Sequence, residues 1–329
     1  MKLLVIGNEE RVEKFLPRLA IVDQVEYVTV PIDATNEQIL EVGADADFVL
    51  VDAIATFGQD LIEKMPNLKL INSEGVAYNG IDCGAAAERG IYVCNNRGVN
   101  AVGVAEQTVL LILALIKQLR RGDTAVRAGK QIELKEQLMV EGIYELGGMT
   151  VGLVGFGAIA REVAKRLVAF DVRVVYNKRS PLSPEVEDKL HAWHLPLDDL
   201  LEQSDVVSLH VPVTDATRGM VSAEFLGKMR KGSYLVNTAR GELVDNDAVV
   251  AAIKSGQLAG AGFDTIAPEP VKLDNPLLNL PDELQDRVIF SPHIGGVTAN
   301  MFPRAYKMVW ENIARVAAGD RPLNIVNGL

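Results

Sequence analysis

Arg240 in "LVNTARGELVD", Glu269 in "FDTIAPEP" and His293 in "FSPHIGG" are the side chains in this sequence best suited to chemistry. A guanidinium is always charged and fork-shaped, so it can fix an anion. An imidazole gives and takes a proton near neutral pH. A carboxylate bonded to its second ring nitrogen favours the imidazolium and holds the ring in place. Each of the three follows the carboxyl end of an expected strand, the edge of a parallel sheet where ligands bind. Taken singly, each has an ordinary alternative: the arginine as a surface ion pair, the glutamate as a loop carboxylate. His210, in "SLHVP", ends another strand and competes with His293. His191 and His194 fall in a polar connection and read as structural. Spacing alone leaves the trio balanced between a catalytic group and three unrelated side chains.

"TVGLVGFGAIA" (150–160) places Gly155 and Gly157 at the first two positions of a GxGxxG turn, with Ala160 at the third, where alanine is tolerated. The first glycine permits the tight turn. The second lets backbone amides approach a pyrophosphate at the positive end of the following helix. A strand before the motif and a helix after it favour dinucleotide binding over a purely structural turn. Asn177 lies 22 positions after Gly155, at the end of the next strand. An acid there would bond the ribose 2′-hydroxyl of NAD and repel the 2′-phosphate of NADP. Asparagine removes that repulsion, and Lys178, Arg179 and Ser180 add two cations and a hydroxyl beside the same ribose. Weighed against a solvated basic turn, this position predicts NADP(H) as the preferred cofactor, with NAD(H) as the alternative.

Such residues need parallel sheets to carry them. "LLVIG" (3–7), "VEYVTV" (25–30), "FVLVDA" (48–53), "LKLINS" (68–73) and "IYVCN" (91–95) are short runs rich in β-branched residues, separated by amphipathic stretches. A second series runs through "TVGLVGF" (150–156), "VRVVY" (172–176), "DVVSLHV" (205–211), "SYLVNTA" (233–239), "LAGAGFD" (258–264) and "RVIFSPH" (287–293). Two Rossmann- or flavodoxin-like, doubly wound α/β domains are expected. The segment 102–121 is apolar on nearly every face and predicts one buried helix; 298–319 predicts a second. These are read as bridging helices, so that residues 1–99 and 297–329 form one discontinuous domain around a dinucleotide-binding domain at 100–296.

A chain of 329 residues is long enough for two cores, and its net charge of -11 disfavours a nucleic-acid or anionic-membrane partner. The longest apolar run, 108–116, is far short of the ~20 residues that cross a bilayer. Only two cysteines, Cys83 and Cys94, occur, without metal-ligand spacing. Reduced thiols in a cytoplasm are the expectation, and no metal is predicted.

"NTARGELVD", "GFDTIAPEP" and "SPHIGGVT" together resemble, in order and spacing, the three signature segments of the D-isomer-specific 2-hydroxyacid dehydrogenases. That family includes glyoxylate/hydroxypyruvate reductases and phosphoglycerate dehydrogenases. "GFGAIA", "SLHVP" and "VAEQTVLLILAL" match further motifs, so the resemblance covers almost the whole chain. It implies that Arg240, Glu269 and His293 are catalytic and that Asp264 faces the nicotinamide. By the same resemblance the cofactor is met by Gly155, Phe156, Gly157, Ala158, Ile159, by Asn177 through Ser180, and by His210, Val211, Pro212 and Thr217. Thr238, Ala239, Arg240, Asp264, His293 and Gly295 complete the set.

Reducing a 2-oxo acid needs a fixed carboxylate, a polarised carbonyl and a proton for the emerging alkoxide. Arg240 would hold the substrate, His293 would donate the proton, and Glu269 would orient the ring. "SEGVAYNGID" (73–82) resembles the family's carboxylate-binding loop, with the amides of Val76 and Ala77 as donors and Asn100 nearby. Ala77 stands where a glycine is common and Gly80 where a polar residue is, so Ala77 would be strained if that position needs φ > 0. Ile54 and Phe57 are candidates for an apolar pocket lining or for core. The expected activity is reduction of a small 2-oxo acid to a D-2-hydroxy acid. The rivals are an NAD-dependent member of the family, formate- or phosphite-type chemistry, and a dinucleotide-sensing corepressor. The resemblance implies a homodimer through helices of the cofactor domain, including 102–121, and no appended regulatory domain is expected.

Overall fold

Continuous runs of buried β-branched residues, the mark of strands covered on both faces, form two separate parallel sheets. The computed structural model describes all 329 residues, which divide into two units: Met1–Asn100 with Thr298–Leu329, and Ala101–Val297.

The first unit carries β1 (Lys2–Ile6), β2 (Glu26–Val30), β3 (Phe48–Val51), β4 (Leu70–Ser73) and β5 (Tyr92–Cys94). Their order is β2-β1-β3-β4-β5, with every pair parallel. The helix Met301–Ala317 returns to this unit and buries Tyr306, Val309, Trp310 and Ile313 against Leu3, Phe48 and Leu50. Edge strand β5 is covered by the C-terminal segment, where Val326 N–H donates to Val93 O at 2.8 Å.

The second unit carries β6 (Thr150–Val154), β7 (Arg173–Asn177), β8 (Ala192–His194), β9 (Val206–Leu209), β10 (Ser233–Asn237), β11 (Leu258–Phe263) and β12 (Val288–Phe290). The order is β12-β11-β10-β9-β6-β7-β8. Sequence direction therefore reverses between β6 and β9, the place where dinucleotides bind in such sheets.

Two expectations need correction. The apolar segment 102–121 is not one helix. It runs Ala101–Ile116, buried among Ala160, Val163, Leu167 and Val174, and then breaks at Gln118, whose φ of 51° is left-handed. The next helix, Leu119–Arg127, leaves at 62°. Polar residues from Lys117 onward have no core to enter, so the chain turns out. The connection holding His191 and His194 also contains a strand, β8, too short and polar to show in the pattern. No single helix is long and apolar enough to cross a membrane.

Candidate active site

β6 ends at Val154 and Gly155 turns the chain with φ +92°. A Cβ at Gly155 would lie 2.5 Å from His210 O, beyond the end of β9, so both backbone shape and space demand glycine. Gly157 caps the helix Ala158–Val168 without any side-chain hydrogen bond. The first amide there with a protein acceptor is that of Arg161, on Gly157 O. The preceding N–H groups are therefore free for an anion at the positive helix end, and the turn fits a pyrophosphate. His210 bonds Ser208 Oγ at 2.9 Å, and desolvation pushes its pKa down to about 4. It is a neutral imidazole at physiological pH, which weakens its claim as the proton donor.

Asn177 ends β7 and its Nδ2 donates to Leu195 O at 2.9 Å. Lys178, Arg179 and Ser180 follow, exposed, and neither cation has a carboxylate partner. Their loop is pinned at both ends. Tyr176 OH donates to Glu187 Oε1 at 2.6 Å and accepts from Leu182 N–H at 2.8 Å, while His194 Nε2 contacts Lys178 O at 3.1 Å. His194, read from the sequence as structural, is thus a support of the candidate 2′-phosphate loop. The Tyr176 ring also stacks on Phe156 at 4.2 Å, linking this loop to the glycine turn. Burial and Glu187 push the Tyr176 hydroxyl up to about 12, so it stays a donor.

Arg240, Asp264 and His293 follow the carboxyl ends of three adjacent strands, β10, β11 and β12. Buried Asn237 shapes the Arg240 turn, donating to Arg240 O at 2.8 Å and accepting from Ala239 N–H at 3.0 Å. Asp264 accepts from Ser291 Oγ, Ile294 N–H and Gly295 N–H, with Gln107 Nε2 donating in turn to Ser291 Oγ at 2.8 Å. This brace holds the turn in which His293 adopts a left-handed φ of 56°. His293 Nδ1 then meets Glu269 Oε1 at 2.7 Å, leaving Nε2 available. Thr238 and Thr108 share a buried hydroxyl contact of 2.9 Å, and Thr217 Oγ1 donates to Pro212 O at 2.7 Å.

The family model described as "D-isomer specific 2-hydroxyacid dehydrogenase, NAD binding domain" matches residues 109–295. The chain is 36% identical over 296 residues to a glyoxylate reductase of Thermofilum pendens, covering 89% of this chain and 85% of that one. It is 36% identical over 266 residues to a hydroxypyruvate reductase of Thermotoga maritima, covering 80% and 82%. The crystal structure of a glyoxylate reductase from Paecilomyes thermophila matches with a TM-score of 0.81 at 30% identity, over 99% of this chain and 98% of that one. The chain belongs to the D-isomer-specific 2-hydroxyacid dehydrogenases. It is an oxidoreductase of CH–OH groups whose cofactor is a nicotinamide dinucleotide.

In the first unit of this dehydrogenase, the 73–82 loop follows β4. Val76, Ala77 and Asn100 are half-buried. Ala77 does not have a positive φ, so the feared strain is absent. Gly80 is demanded instead by closeness: a Cβ there would lie 2.2 Å from Ala55 O. That contact zips the loop to residues 55–57, with Phe57 N–H on Gly80 O at 2.8 Å. Phe57 is fully buried core, whereas Ile54 is 80% exposed, so only Ile54 is free to line a pocket.

Beneath the loop lies an ionic cluster that sequence reasoning missed. Arg11 Nη2 contacts Asp52 at 2.5 Å and Glu74 at 3.0 Å, and Tyr306 OH donates to Glu74 Oε1 at 2.8 Å. Burial pushes the Glu74 carboxyl above its usual range despite Arg11. Gln107, Ser291, Asn237, Tyr176 and Glu187 were also missed. Each is ordinary in its local sequence; Gln107, Ser291, Tyr176 and Glu187 acquire a role through partners 11 to 184 residues away, and Asn237 through the fold of its own turn.

Proposed function

We propose that this dehydrogenase reduces a small 2-oxo acid to the D-2-hydroxy acid with a preference for NADPH. The carrying observation is the 2.7 Å contact between His293 Nδ1 and Glu269 Oε1. It sits at the sheet edge where Arg240 and the glycine turn also lie. The names of the relatives, glyoxylate and hydroxypyruvate reductase, support a small substrate.

Gly155–Ile159 would hold the pyrophosphate by free backbone amides, and Lys178, Arg179 and Ser180 the 2′-phosphate. When bound, the reduced nicotinamide supplies the hydride to the carbonyl carbon. Arg240 holds the substrate carboxylate and polarises the carbonyl oxygen. His293 gives its Nε2 proton to that oxygen as negative charge develops, and Glu269, bonded to Nδ1, fixes the orientation of the ring. In oxidation, neutral His293 takes the proton back. The amides of the 76–77 loop add donors for the carboxylate.

The same reading includes a homodimer. The helices Leu119–Arg127 and Gln131–Glu141 contain no buried residue, and they expose Val126, Ile132, Met139 and Val140. Their apolar sides, with Leu134 and Leu138, line an open cavity of about 380 Å³. A second copy is the occupant these apolar side chains fit.

Oxidation of NADPH and of NADH with glyoxylate, hydroxypyruvate, pyruvate and bulkier 2-oxo acids tests the proposal. The expected outcome is a higher kcat/KM with NADPH on the smallest acids. A clear NADH preference would remove the cofactor assignment. Silence across the panel, with tight cofactor binding, would turn the reading to a sensor.

A further inference from the structure

A trans peptide unit points its C=O and the following N–H in opposite directions. Whatever ties down the carbonyl of one residue therefore aims the amide of the next. In the loop after β4 this happens five times in succession, and the ties come from outside the loop or from its first residue. Asn72 Nδ2 donates to Ser73 O at 2.8 Å, and Asn96 Nδ2 to Glu74 O at 2.8 Å. Asn96 N–H donates to Gly75 O at 2.8 Å, Asn95 Nδ2 to Val76 O at 2.7 Å, and Ser73 Oγ to Ala77 O at 2.5 Å. The two cis peptides of the chain lie elsewhere, so all these units are trans.

The opposite side of the same peptides is bare. Gly75 N–H reaches Ser73 Oγ at 3.3 Å, but the amides of Val76, Ala77 and Tyr78 have no acceptor in the protein. We propose that Asn95 and Ser73 are positioning residues that aim the Ala77 and Tyr78 amides, alongside that of Val76, at the carboxylate of the 2-oxo acid. This rests on the reaction proposed above. It adds Tyr78 as a third donor and says what holds the donors in line.

The supports are built rather than incidental. Asn72, Asn95, Asn96 and Asn312 are all buried, at 1%, 4%, 0% and 0% exposure. Asn312, on the helix Met301–Ala317, donates to Asn72 Oδ1 at 3.0 Å, so the brace runs back to the C-terminal helix. Buried amides are costly unless satisfied, yet Asn95 Oδ1 is buried without a partner. An apolar side chain would suit that spot better if core stability were the only demand. Of the two carboxylates in the loop, Glu74 is engaged by Arg11 and Tyr306, and Asp82 caps the following helix by accepting from Ala85 N–H at 3.0 Å.

The test uses the full-length protein and compares Asn95→Ala and Ser73→Ala with the wild type. KM for glyoxylate, Ki for oxamate (an unreactive 2-oxo acid analogue), KM for NADPH and the thermal midpoint are measured for each. Carboxylate binding is made in ground and transition states alike, so its loss falls on KM and not on kcat. Each variant is expected to raise the glyoxylate KM and the oxamate Ki about tenfold, with kcat and the NADPH KM near wild type. A folded variant with unchanged glyoxylate KM and oxamate Ki overturns the inference. So does a matching rise in the NADPH KM with a fallen midpoint, which is what loss of general structure would give. Should Asn95→Ala fail to fold, Ser73→Ala, which removes a single oxygen atom, decides the question by the same two constants. A wild type that reduces no 2-oxo acid with either cofactor overturns the underlying reaction, and that outcome is separate from a variant that matches an active wild type.

Discussion

Glu269 bonds the imidazole nitrogen that does not face the reaction, so it acts on catalysis by holding the His293 ring in place. Glu269→Ala should lower kcat for reduction by about 100-fold, with the KM for NADPH near wild type. Steady-state kinetics check this, and an unchanged kcat would remove the pairing from the mechanism. Lys178 and Arg179 allow a cleaner separation, because neither is engaged by a carboxylate of the protein. The double variant Lys178→Ala/Arg179→Ala should lower kcat/KM for NADPH by about 100-fold, two charge-assisted contacts being lost. The value for NADH should barely move. Equal losses for both cofactors would mean that the pair serves the fold or the pyrophosphate instead.

Eleven of the twelve strands were legible as short runs rich in β-branched and apolar residues, the pattern that strands covered on both faces require. β8 was not, since Ala192–His194 sits at the sheet edge and carries the exposed Trp193. The helix break at Gln118 was equally hidden: Lys117, Gln118, Leu119, Arg120 and Arg121 are all good helix formers, and a positive φ leaves no mark on glutamine. Around β1, β3 and β4 of the first unit, the structure makes a prediction that the sequence could not. Arg11 is the only cation between the Asp52 and Glu74 carboxylates. Arg11→Met should therefore cost about 3 kcal/mol at neutral pH, measured by urea unfolding. Glu74→Gln provides the sign control. The Glu74 carboxyl sits above its ordinary range in the folded protein. Its contribution is thus fully present below the unfolded value and is lost as pH rises through the folded one. The glutamine variant escapes that loss, so it should be at least as stable as wild type at pH 7, with the difference closing near pH 4.

The proposed assembly rests on what the second unit leaves uncovered. Val140 is 90% and Met139 71% exposed on a helix without a buried residue. Sedimentation should report a dimer, and Val140→Asp should shift it toward monomer while leaving the fold intact. A monomeric wild type would end that assignment. Of the expected interface segment 102–121, the part in the helix Ala101–Ile116 is mostly core and exposes Glu106 and Leu110, whereas Leu119–Arg121 already belongs to the outward pair of helices.

Residue type and order along the chain were enough to establish the family, the alternation of strand and helix, the glycine turn and the chemistry available to Arg240, Glu269 and His293. Those features are local, or lie at strand ends whose positions a parallel sheet dictates. Folding settled which side chains support them: the Gln107–Ser291–Asp264 chain beneath His293, Tyr176 between the glycine turn and the 177–182 loop, and Asn95 behind Val76. The reason is that a hydrogen bond or a close approach between residues far apart in sequence depends on how strands are ordered and helices packed. A lone asparagine or tyrosine in a sequence carries no trace of that arrangement.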